Sequence, residues 1–401
     1  MMSMNKVVVI GQGYVGLNIA VHAASSNEVI GFDLNSTTVT NLNKGKSHIE
    51  DISNVELNEM LAKGTYKATS NHEDIRDADI YVIAVPTPLD ENRKPDLSYV
   101  ENAADIIAKA GSKPALIINE STSFPGTLRG VIKKRIEEKS GISHHYAASP
   151  ERVDPGRSDF NQKNTPRLIG GINSDSIEKA HLFYSTFCED IRIVQSPEVA
   201  EAAKLFENTF RQVNIALVNE FAQITHALGI PVRDVLEAAN TKPYGFMKFD
   251  PSAGVGGHCI PVDPSYLSFI AEKNGVSAKF IDLANKVNLE MGEYLVSRVQ
   301  EDNGLLKGKS VQIVGVAYKP NISDTRETPA LKVYEALEKA GAMVNWHDPI
   351  VETWNGSRSA ELGGDIGIVV TKHNAIDSNQ IKAKFKYIFD STGKVEGAVQ
   401  L

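Results

Sequence analysis

Short apolar runs alternate with helical patterns through most of the chain, and this alternation constrains its fold more than any other feature. Helical patterns such as 14–25 and 175–187 separate the runs. The predicted strands of the first half are rich in β-branched residues and nearly continuously apolar: 7–10, 28–32, 80–85, 115–119, 146–148, 168–170 and 191–194. This combination is typical of a parallel sheet with helices on both faces. It predicts a doubly wound α/β domain over about residues 1–195.

A long helix follows this domain. Ser196 is a good N-cap residue and Pro197 suits the first helical position, while no breaker occurs before Gly229 and Pro231. A helix of about 30 residues would be roughly 45 Å long. That is too long for one small domain, so we expect it to cross between domains or to form a subunit interface.

The strand and helix alternation resumes near the C-terminus. Predicted strands at 311–315, 344–346, 366–370 and 387–389 surround a helical pattern at 329–340. The sequence therefore predicts three parts: the first domain at 1–195, a central helical region at 196–303 with a Gly/Pro-rich loop at 241–263, and a second, smaller doubly wound domain at 304–401.

The composition excludes several classes of protein. The chain has 401 residues, of which 42% are hydrophobic and 23% charged, as in globular proteins. Its formal charge of −8 provides no overall basic field for nucleic acid. No apolar run approaches the ~20 residues that span a bilayer, and residues 1–6 are too short for a signal peptide. Only two cysteines occur, which fits a reducing compartment, so we expect a cytoplasmic protein. From the charge and the absence of a long apolar run, we expect no nucleic-acid or membrane partner.

A glycine-rich loop joins the first predicted strand to the first helix. Gly11 permits a tight turn, Gly13 allows the backbone to approach a pyrophosphate, and Gly16 lets the helix pack on the strand. Asp33 ends the second strand, where a carboxylate accepts hydrogen bonds from a ribose and repels a 2′-phosphate. The pattern predicts two Rossmann-like domains joined by the central helix, with NAD, rather than NADP, bound by the first. A glycine turn without a ligand is the alternative.

Three further loops follow predicted strands at their carboxyl ends. Ligands gather at that edge of such sheets. Each loop could be ordinary connecting chain, but three on one edge favour a binding site. The candidate residues in them are Pro86 and Thr87, then Thr122 after Glu120, and finally Glu151 and Arg152.

A cysteine lies in a second glycine-rich loop. Gly256 and Gly257 would let a substrate approach the backbone, and Asp263 follows Cys259 by four residues. A cysteine beside an acid–base partner is how a nucleophile is assembled. Three alternatives remain: a buried inert thiol, a metal site formed with His258, or a histidine that caps the next helix. Adjacent His and Cys rarely bind one ion, so we expect no metal.

Polar residues also share one face of the long helix. Lys204, Asn208 and Arg211 are spaced at i, i+4 and i+7 among apolar neighbours. A solvated stripe is the alternative to a polar cavity here. In the second α/β domain, Lys319 and Arg326 follow the first predicted strand, where a phosphate or cofactor would bind.

These motifs in this order resemble the UDP-sugar 6-dehydrogenases, the family of UDP-glucose dehydrogenase and its UDP-N-acetylhexosamine relatives. The resemblance runs from residue 7 to about 349 and includes Gly-Gly-His-Cys-Ile-Pro-Val-Asp-Pro and Lys-Leu-Phe-Glu-Asn-Thr-Phe-Arg. The family oxidises the C6 hydroxymethyl of a nucleotide sugar to a carboxylate with two NAD. It also implies a homodimer built around the long helix.

The resemblance implies roles for individual residues. Cys259 would capture the C6 aldehyde as a thiohemiacetal, and hydride loss would give a thioester that water cleaves. Lys204 would stabilise the oxyanion and Asp263 would act as acid–base group. The other catalytic candidates are Asn208, Thr122 and Glu151. The implied cofactor contacts are Gly11, Gly13, Tyr14, Val15, Gly16, Asp33, Pro86, Thr87, Thr122 and Arg326. The implied substrate contacts are Glu151, Arg152, Val153, Lys204, Asn208, Arg211, Gly256, Gly257 and Lys319.

Several positions bear on the choice of sugar. His258, Ile260 and Val262 differ from the Gly-Gly-Ser-Cys-Phe and Lys-Asp pattern of the UDP-glucose enzymes, and 149–156 also departs from their Pro-Glu-Phe-Leu pattern. Both departures resemble the N-acetylhexosamine branch, above all UDP-N-acetylglucosamine 6-dehydrogenase. Residues 251–254 differ from the Pro-Gly-Pro-Gly of that branch. UDP-glucose, UDP-N-acetylmannosamine and UDP-N-acetylgalactosamine stay open as alternatives.

Two other classes of protein fit part of the pattern. A two-electron hydroxyacid or sugar-alcohol dehydrogenase would need no Cys259. A nucleotide sensor without activity would bind NAD but not reduce it.

Overall fold

The computed structural model describes residues 4–154 and 159–401. Contacts divide the chain into two compact units, Met1–Phe206 and Glu207–Leu401. Each unit is built on its own mainly parallel sheet. The α/β class predicted from the sequence is therefore confirmed.

The first unit contains an eight-stranded sheet. Its strands are β1 (Lys6–Ile10), β2 (Glu28–Phe32), β3 (Tyr66–Thr69), β4 (Ile80–Ile83), β5 (Leu116–Asn119), β6 (His145–Ala148), β7 (Arg167–Gly171) and β8 (Ile191–Ile193). They lie in the order β3-β2-β1-β4-β5-β6-β7-β8. The order reverses between β1 and β4, and this switch point is where doubly wound sheets bind their ligands.

Helices cover both faces of this sheet. They are α1 (Tyr14–Ala23), α2 (Ser36–Asn43), α3 (Asn54–Lys63), α4 (Ser98–Ala110), α5 (Lys134–Ser140), which a π-helical segment (Leu128–Lys133) precedes, and α6 (Ser174–Tyr184). Alternate residues of β1 enter opposite cores: Val7 and Val9 pack with α1, and Val8 and Ile10 pack with α4. Burial on both faces explains why these strands are apolar without alternation.

One pair of strands in the first unit departs from the predicted parallel arrangement. β7 runs antiparallel to β6, while β8 is parallel to β7 through α6. A parallel pair needs a crossover connection, usually a helix. No helix occurs between β6 and β7 within 149–154 and 159–166. β3 was not predicted, because the exposed Lys67 interrupts its short apolar pattern.

The predicted long helix is confirmed as α7 (Pro197–Ala227), with 31 residues. The boundary between the two units lies within it. It is followed by α8 (Val232–Asn240), α9 (Asp263–Lys273) and α10 (Lys279–Asn303). The predicted domain boundaries at 195 and 303 stay predictions.

The second unit contains a five-stranded parallel sheet. Its elements are β9 (Ser310–Val314), α11 (Pro329–Lys339), β10 (Met343–His347), β11 (Thr353–Trp354), β12 (Ser357–Arg358), β13 (Gly364–Val369), α12 (Ser378–Lys384), β14 (Phe385–Asp390) and β15 (Val399–Gln400). The sheet order is β10-β9-β13-β14-β15, and β11 and β12 form a separate antiparallel ladder. The four longer strands were predicted, whereas the two-residue strands were too short to leave a pattern.

Candidate active site

The glycine loop of the first unit has the geometry of a dinucleotide turn. Gly11 has a φ of +90°, and a Cβ there would lie 2.4 Å from the carbonyl oxygen of Ala84. A Cβ at Gly16 would lie 1.8 Å from the carbonyl oxygen of Gly11. At Gly13, in contrast, no described atom lies within 4 Å of the Cβ position. The first and third glycines are thus required by the fold, while the second leaves room for a phosphate.

The N-terminus of α1 can bind an anion. Gly13 is its N-cap residue, and in the described part of the chain no side chain caps this end. The first backbone N–H groups of a helix lack intrahelical partners and carry positive potential. Tyr14 and Val15 begin the helix here, and the hydroxyl of Tyr14 donates to Glu50 over 2.6 Å. The loop and helix end therefore fit the pyrophosphate of NAD.

Asp33 is oriented by the backbone around it. Its Oδ2 accepts the N–H of Gln12 at 2.9 Å, and its Oδ1 accepts the N–H of Asn35 at 2.8 Å. The side chain is only partly buried at the end of β2. A carboxylate held in this way keeps lone pairs for the hydroxyls of a ribose. This contact with Gln12 places Asp33 beside the glycine loop, and its role in binding the cofactor stays a prediction.

Gln12 is a structural residue that the sequence analysis missed. It is fully buried, its amide donates to the carbonyl oxygens of Val9 and Gly11, and its Oε1 accepts the hydroxyl of Tyr66 at 2.9 Å. These bonds join the glycine loop to β3. Nothing in the sequence marks the position, since any residue can stand between the first two glycines of the motif.

The loops after β4 and β5 are joined by Ser121. Its hydroxyl accepts the N–H of Val85 at 2.9 Å and donates to the carbonyl of Val85 at 2.8 Å. The neighbouring candidates follow directly: Pro86 is exposed, and Thr87 and Thr122 are partly buried. The structure thus brings these two predicted loops together at the carboxyl edge of the sheet.

A buried ionic network lies behind the third loop. Arg167 donates from Nη1 to both carboxylate oxygens of Glu120, at 2.7 and 2.8 Å, and from Nη2 to Oε2 of Glu151 at 3.1 Å. Gln162 also donates to this oxygen of Glu151, and Tyr184 donates to Glu120. Arg167 was missed because its polar partners come together only through the sheet.

Glu151 is held as an anion. Its Oε1 accepts the N–H groups of Arg152 and Val153 at 2.6 and 2.7 Å. Burial alone would raise the pKa of Glu151, but the charge of Arg167, these bonds and the charge of Lys204 together lower it. Lys204, on α7, is itself nine-tenths buried. The residues that follow this loop at 155 and 156 lie outside the described residues.

Glu120 responds differently to the same surroundings. Burial raises its pKa to about 7 against the opposing charge of Arg167, and the negative charge of Glu151 adds to the rise. Arg167 therefore contacts two carboxylates whose pKa values are shifted in opposite directions, upward for Glu120 and downward for Glu151. This is the kind of environment that separates acid from base among buried carboxylates.

A second buried glutamate joins α7 to the loop after β5. The carboxylate of Glu201 accepts the N–H groups of Gly126 and Leu128 at 2.7 and 2.9 Å. Burial raises the pKa of Glu201 to about 8 in spite of these bonds. Glu201 precedes Lys204 by one turn, so it positions the start of α7 against the loop that carries Thr122. In the sequence, it is one of several acidic residues near the start of α7 and nothing marks it out.

The cysteine loop leads into α9 in the second unit. The carbonyl oxygen of Cys259 accepts the N–H of Asp263 at 2.8 Å, so Cys259 lies one turn before this helix. Asp263 is 2% exposed, and its Oδ2 accepts the side-chain amide of Asn208. Cys259 is a partly buried thiol, whereas Cys188 is buried and its pKa is raised by burial to about 11. Three predicted site residues therefore lie close together.

The glycines before Cys259 pack against a segment of the second sheet. A Cβ at Gly256 would lie 2.8 Å from Cβ of Tyr318, and a Cβ at Gly257 would lie 2.9 Å from its ring. The N–H of Gly257 donates to the carbonyl of Arg326 at 3.1 Å. Tyr318 was not among the predicted site residues. Glycine is therefore needed at 256 and 257 because Tyr318 of the same chain packs against them, besides any need to admit a substrate.

The remaining candidates are less closely tied to these groups. The guanidinium of Arg326 donates to Asp324 at 2.9 Å, and Lys319 is partly buried nearby in sequence. Arg211, which shares a helix face with Lys204 and Asn208, is exposed. Burial thus decreases along this face of α7.

Two further kinds of site are absent from the described residues. No group of three or more His, Cys, Asp or Glu side chains is placed to hold a metal ion there. Among the helices in the described ranges, none is both long and apolar enough to cross a membrane.

Comparisons with known proteins match the whole arrangement. The NAD-binding, central and UDP-binding domains of the UDP-glucose/GDP-mannose dehydrogenase family match residues 5–188, 198–290 and 312–396. The UDP-N-acetyl-D-mannosamine dehydrogenase of Pyrococcus horikoshii is 34% identical over 378 residues, which are 92% of this chain and 89% of the relative. The UDP-N-acetyl-D-glucosamine 6-dehydrogenase of Pseudomonas aeruginosa is 34% identical over 357 residues, or 86% and 83%.

A solved structure has the same fold throughout. The UDP-D-ManNAc dehydrogenase from Pyrococcus horikoshii superposes with a TM-score of 0.89 at 32% identity, and the match covers 98% of each chain.

Proposed function

The chain belongs to the UDP-glucose/GDP-mannose dehydrogenase family and is an NAD-dependent UDP-sugar dehydrogenase, and on this premise we propose that it oxidises C6 of a UDP-N-acetylhexosamine to the carboxylate. The observation that carries the proposal is the contact between Asn208 and the buried carboxylate of Asp263, one helical turn from Cys259. A two-electron dehydrogenase has no use for a thiol in that position.

The chemistry proceeds through two oxidations. The C6 alcohol loses a hydride and a proton and becomes an aldehyde, and the Cys259 thiolate then adds to the aldehyde carbon as a thiohemiacetal. This adduct loses a second hydride and the proton of its hydroxyl and becomes a thioester. Water attacks the thioester, which breaks the C–S bond and returns the thiol and a carboxylate. Bound NAD supplies the hydride acceptor, and two molecules are reduced for each sugar.

The residues around the thiol fit the hydrolytic half of this sequence. Asp263 can take a proton from the attacking water, and Asn208 can hold that water or orient the carboxylate. The ammonium of Lys204 is assigned to the oxyanion that forms at C6. Four hydrogen-bond donors hold Glu151 as an anion, so we do not assign it the role of accepting a proton. We assign it instead to binding polar groups of the substrate and to stabilising the charged form of Lys204.

Two epimers are candidate sugars. The motifs around His258 and at 149–154 favour UDP-N-acetylglucosamine. UDP-N-acetylmannosamine is the second candidate, because relatives and a solved structure that match nearly the whole chain carry that name. The two sugars differ only in configuration at C2, so the residues near the acetamido group decide between them.

The experiment is a count of NADH per sugar consumed, with each UDP-sugar limiting. We expect two NADH per UDP-N-acetylhexosamine and little reduction with UDP-glucose. Two NADH with UDP-glucose alone would keep the mechanism and refute the N-acetylhexosamine assignment. One NADH per sugar would refute the role of Cys259, and NAD binding without reduction would identify a sensor.

Variants at the thiol test the covalent step. Cys259→Ala should abolish the second oxidation, and Cys259→Ser should accumulate a sugar ester visible as an added mass, because an ester hydrolyses more slowly than a thioester. Cys188→Ala is the matched control and should keep wild-type turnover, since Cys188 is buried in the first unit. Normal turnover of Cys259→Ala would contradict the mechanism.

A homodimer is proposed as well. Large apolar side chains repeat every four or seven residues on the face of α7 opposite Lys204, which places them in one stripe. The stripe consists of Phe206, Phe210, Leu217 and Ile224, with Leu228 just beyond the helix, and each is more than 40% exposed. A second copy of the chain, with the same stripe, would cover it.

A further inference from the structure

A buried histidine–aspartate pair lies in the second sheet, away from the residues assigned above. Asp348 follows β10 and His373 follows β13, and both side chains are fully buried. Nε2 of His373 lies 3.0 Å from Oδ2 of Asp348. The pair therefore joins two loops at the carboxyl edge of the sheet.

The hydrogen bonds around His373 determine its tautomer. The backbone N–H of Asn321 donates to Nδ1 at 2.9 Å, so Nδ1 carries no proton and Nε2 carries one. Nε2–H then donates to Asp348. Burial would raise the pKa of Asp348, but this bond and backbone N–H groups, among them those of Ile350 and Val351, lower it to about 2. The imidazole is thus oriented by the Asp348 carboxylate and acts as an acceptor toward Asn321.

Nδ1 of His373 binds the backbone at Asn321, which has an unusual conformation. Asn321 has a φ of +66°, in the left-handed region that residues other than glycine rarely adopt. Besides its bond to His373, it accepts the N–H of Asn374 on its Oδ1 at 2.9 Å. The hydroxyl of Thr371 donates to the carbonyl of Ala317 at 2.6 Å. The loop after β13 therefore holds the segment 317–328 at two places.

The segment 317–328 also contacts the loop that carries Cys259. The N–H of Gly257 donates to the carbonyl of Arg326, and the backbone of Gly256 and Gly257 lies against Tyr318. Within the segment, the N–H of Tyr318 donates to the carbonyl of Asp324 at 2.9 Å. One compact turn therefore touches His373 on one side and the glycines before the thiol on the other.

We propose that His373 is a positioning residue for Cys259, because by accepting the N–H of Asn321 it holds the segment that fixes Gly256 and Gly257. Asp348 orients the imidazole for this task. The proposal rests on the function proposed above in taking Cys259 as the nucleophile.

Two substitutions separate the two hydrogen bonds of His373. In His373→Asn, the side-chain oxygen replaces Nδ1 and can still accept the N–H of Asn321. In His373→Gln, the side-chain amide replaces Nε2 and can still donate to Asp348, but the N–H of Asn321 loses its acceptor. We expect His373→Gln to lower kcat about tenfold, with a smaller change in KM, and His373→Asn to stay within about threefold of the wild type.

The alkylation rate of Cys259 by iodoacetamide, followed by peptide mass spectrometry, is the second measurement and needs neither NAD nor sugar. Release of the segment should expose the thiol, so we expect His373→Gln to be alkylated severalfold faster and His373→Asn at the wild-type rate. The proposal would be overturned if both variants changed kcat and the alkylation rate equally, in proportion to their loss of melting temperature. It would also be overturned if neither variant changed kcat or the alkylation rate.

The two proposals fail separately. A wild-type protein that reduces no NAD with any UDP-sugar refutes the proposed function, while the alkylation comparison still decides whether His373 positions the thiol. If His373→Gln does not fold, His373→Leu replaces it, since leucine fills similar space and offers no acceptor to the N–H of Asn321. Faster alkylation of His373→Leu than of His373→Asn supports the proposal, and equal rates overturn it.

Discussion

Asp33 is the side chain to which we assign the cofactor preference. Its carboxylate is oriented by two backbone N–H groups beside the glycine loop. We expect Asp33→Asn to raise the KM for NAD about tenfold and to improve the use of NADP relative to NAD, because the repulsion of a 2′-phosphate is removed. Initial rates with both cofactors check this.

The control for Asp33 is Glu59→Gln, an exposed acid on α3 in the same unit. It removes the same charge without touching the glycine loop and should leave both KM values unchanged. Equal NAD and NADP use by the wild-type protein would show that Asp33 does not select the cofactor.

The raised pKa of Glu201 predicts how the free energy of unfolding depends on pH. Its pKa is raised from 4.5 to about 8, so the folded protein binds this proton more tightly than the unfolded chain does. The free energy of unfolding therefore falls as the pH rises through this range. We expect the stability difference between wild type and Glu201→Gln to shrink by roughly 3 kcal/mol from pH 5 to pH 8, measured by urea unfolding.

Glu198→Gln is the matched control for this experiment, on the same helix and three residues away. The pKa of Glu198 is lowered, since its bonds to Ser196 and Arg129 outweigh burial. Its stabilising effect is complete above pH 5, so the wild type and this variant should differ by a constant amount from pH 5 to pH 8. A constant difference for Glu201→Gln as well would refute the raised pKa.

At the scale of the element, the cysteine loop depends on close contact with the second sheet. Gly257 has a φ of +85°, and any Cβ there would meet the Tyr318 ring. We expect Gly257→Ala to lower kcat by about a hundredfold, because a shift of about 1 Å in a nucleophile is enough for that loss. Steady-state kinetics measure it, with the melting temperature alongside.

Gly275→Ala separates this contact from backbone strain. Gly275 follows α9 with a φ of +76°, but no described atom lies within 4 Å of its Cβ position. Both variants bear the cost of a left-handed alanine, about 1–2 kcal/mol. Only Gly257→Ala should lose turnover, and a similar loss in Gly275→Ala would attribute the effect to stability alone.

The elements also show how far a pattern reaches. The strands were predictable because both faces of strands such as β1 are buried, which makes them continuously apolar, and α7 because Ser196 and Pro197 start it and no breaker occurs before Gly229. The antiparallel direction of β7 and the strands β3 and β15 were not. Strand direction depends on the path of the connecting chain, the exposed Lys67 interrupts the apolar pattern of β3, and the two residues of β15 are too few to show a period.

At the scale of the whole molecule, the stripe on α7 predicts the oligomeric state. Leu217 lies in its middle and is 62% exposed. We expect Leu217→Asp to convert a dimer into a monomer, because a charge would be buried at the centre of an apolar contact. Light scattering after size exclusion measures the mass directly.

The control is Leu182→Asp on α6, where the leucine is 61% exposed. The same change at the same exposure, but off the stripe, should leave the mass at twice that of one chain. A wild-type protein that elutes as a monomer would contradict the dimer, and a dimeric Leu217→Asp would place the interface elsewhere.

The sequence by itself determined the features that short stretches of chain encode. The glycine loop, Asp33, the cysteine loop and the polar face of α7 are local patterns that can be read along the chain, so the resemblance to the UDP-sugar 6-dehydrogenases could be recognised from them. In the structure, a Cβ at Gly11 or Gly16 would meet backbone atoms, and Asn208, Cys259 and Asp263 lie close together, while their roles in binding and catalysis stay predictions.

Only the tertiary structure decided which distant residues support those patterns. Arg167 between two glutamates, Glu201 under the loop after β5, Gln12 against β3, and His373 with Asp348 are each separated from at least one partner by tens of residues. Hydrogen bonds and desolvation act over a few ångströms in space and leave no period along the chain. Such groups become visible only when the strands and loops that carry them are placed side by side.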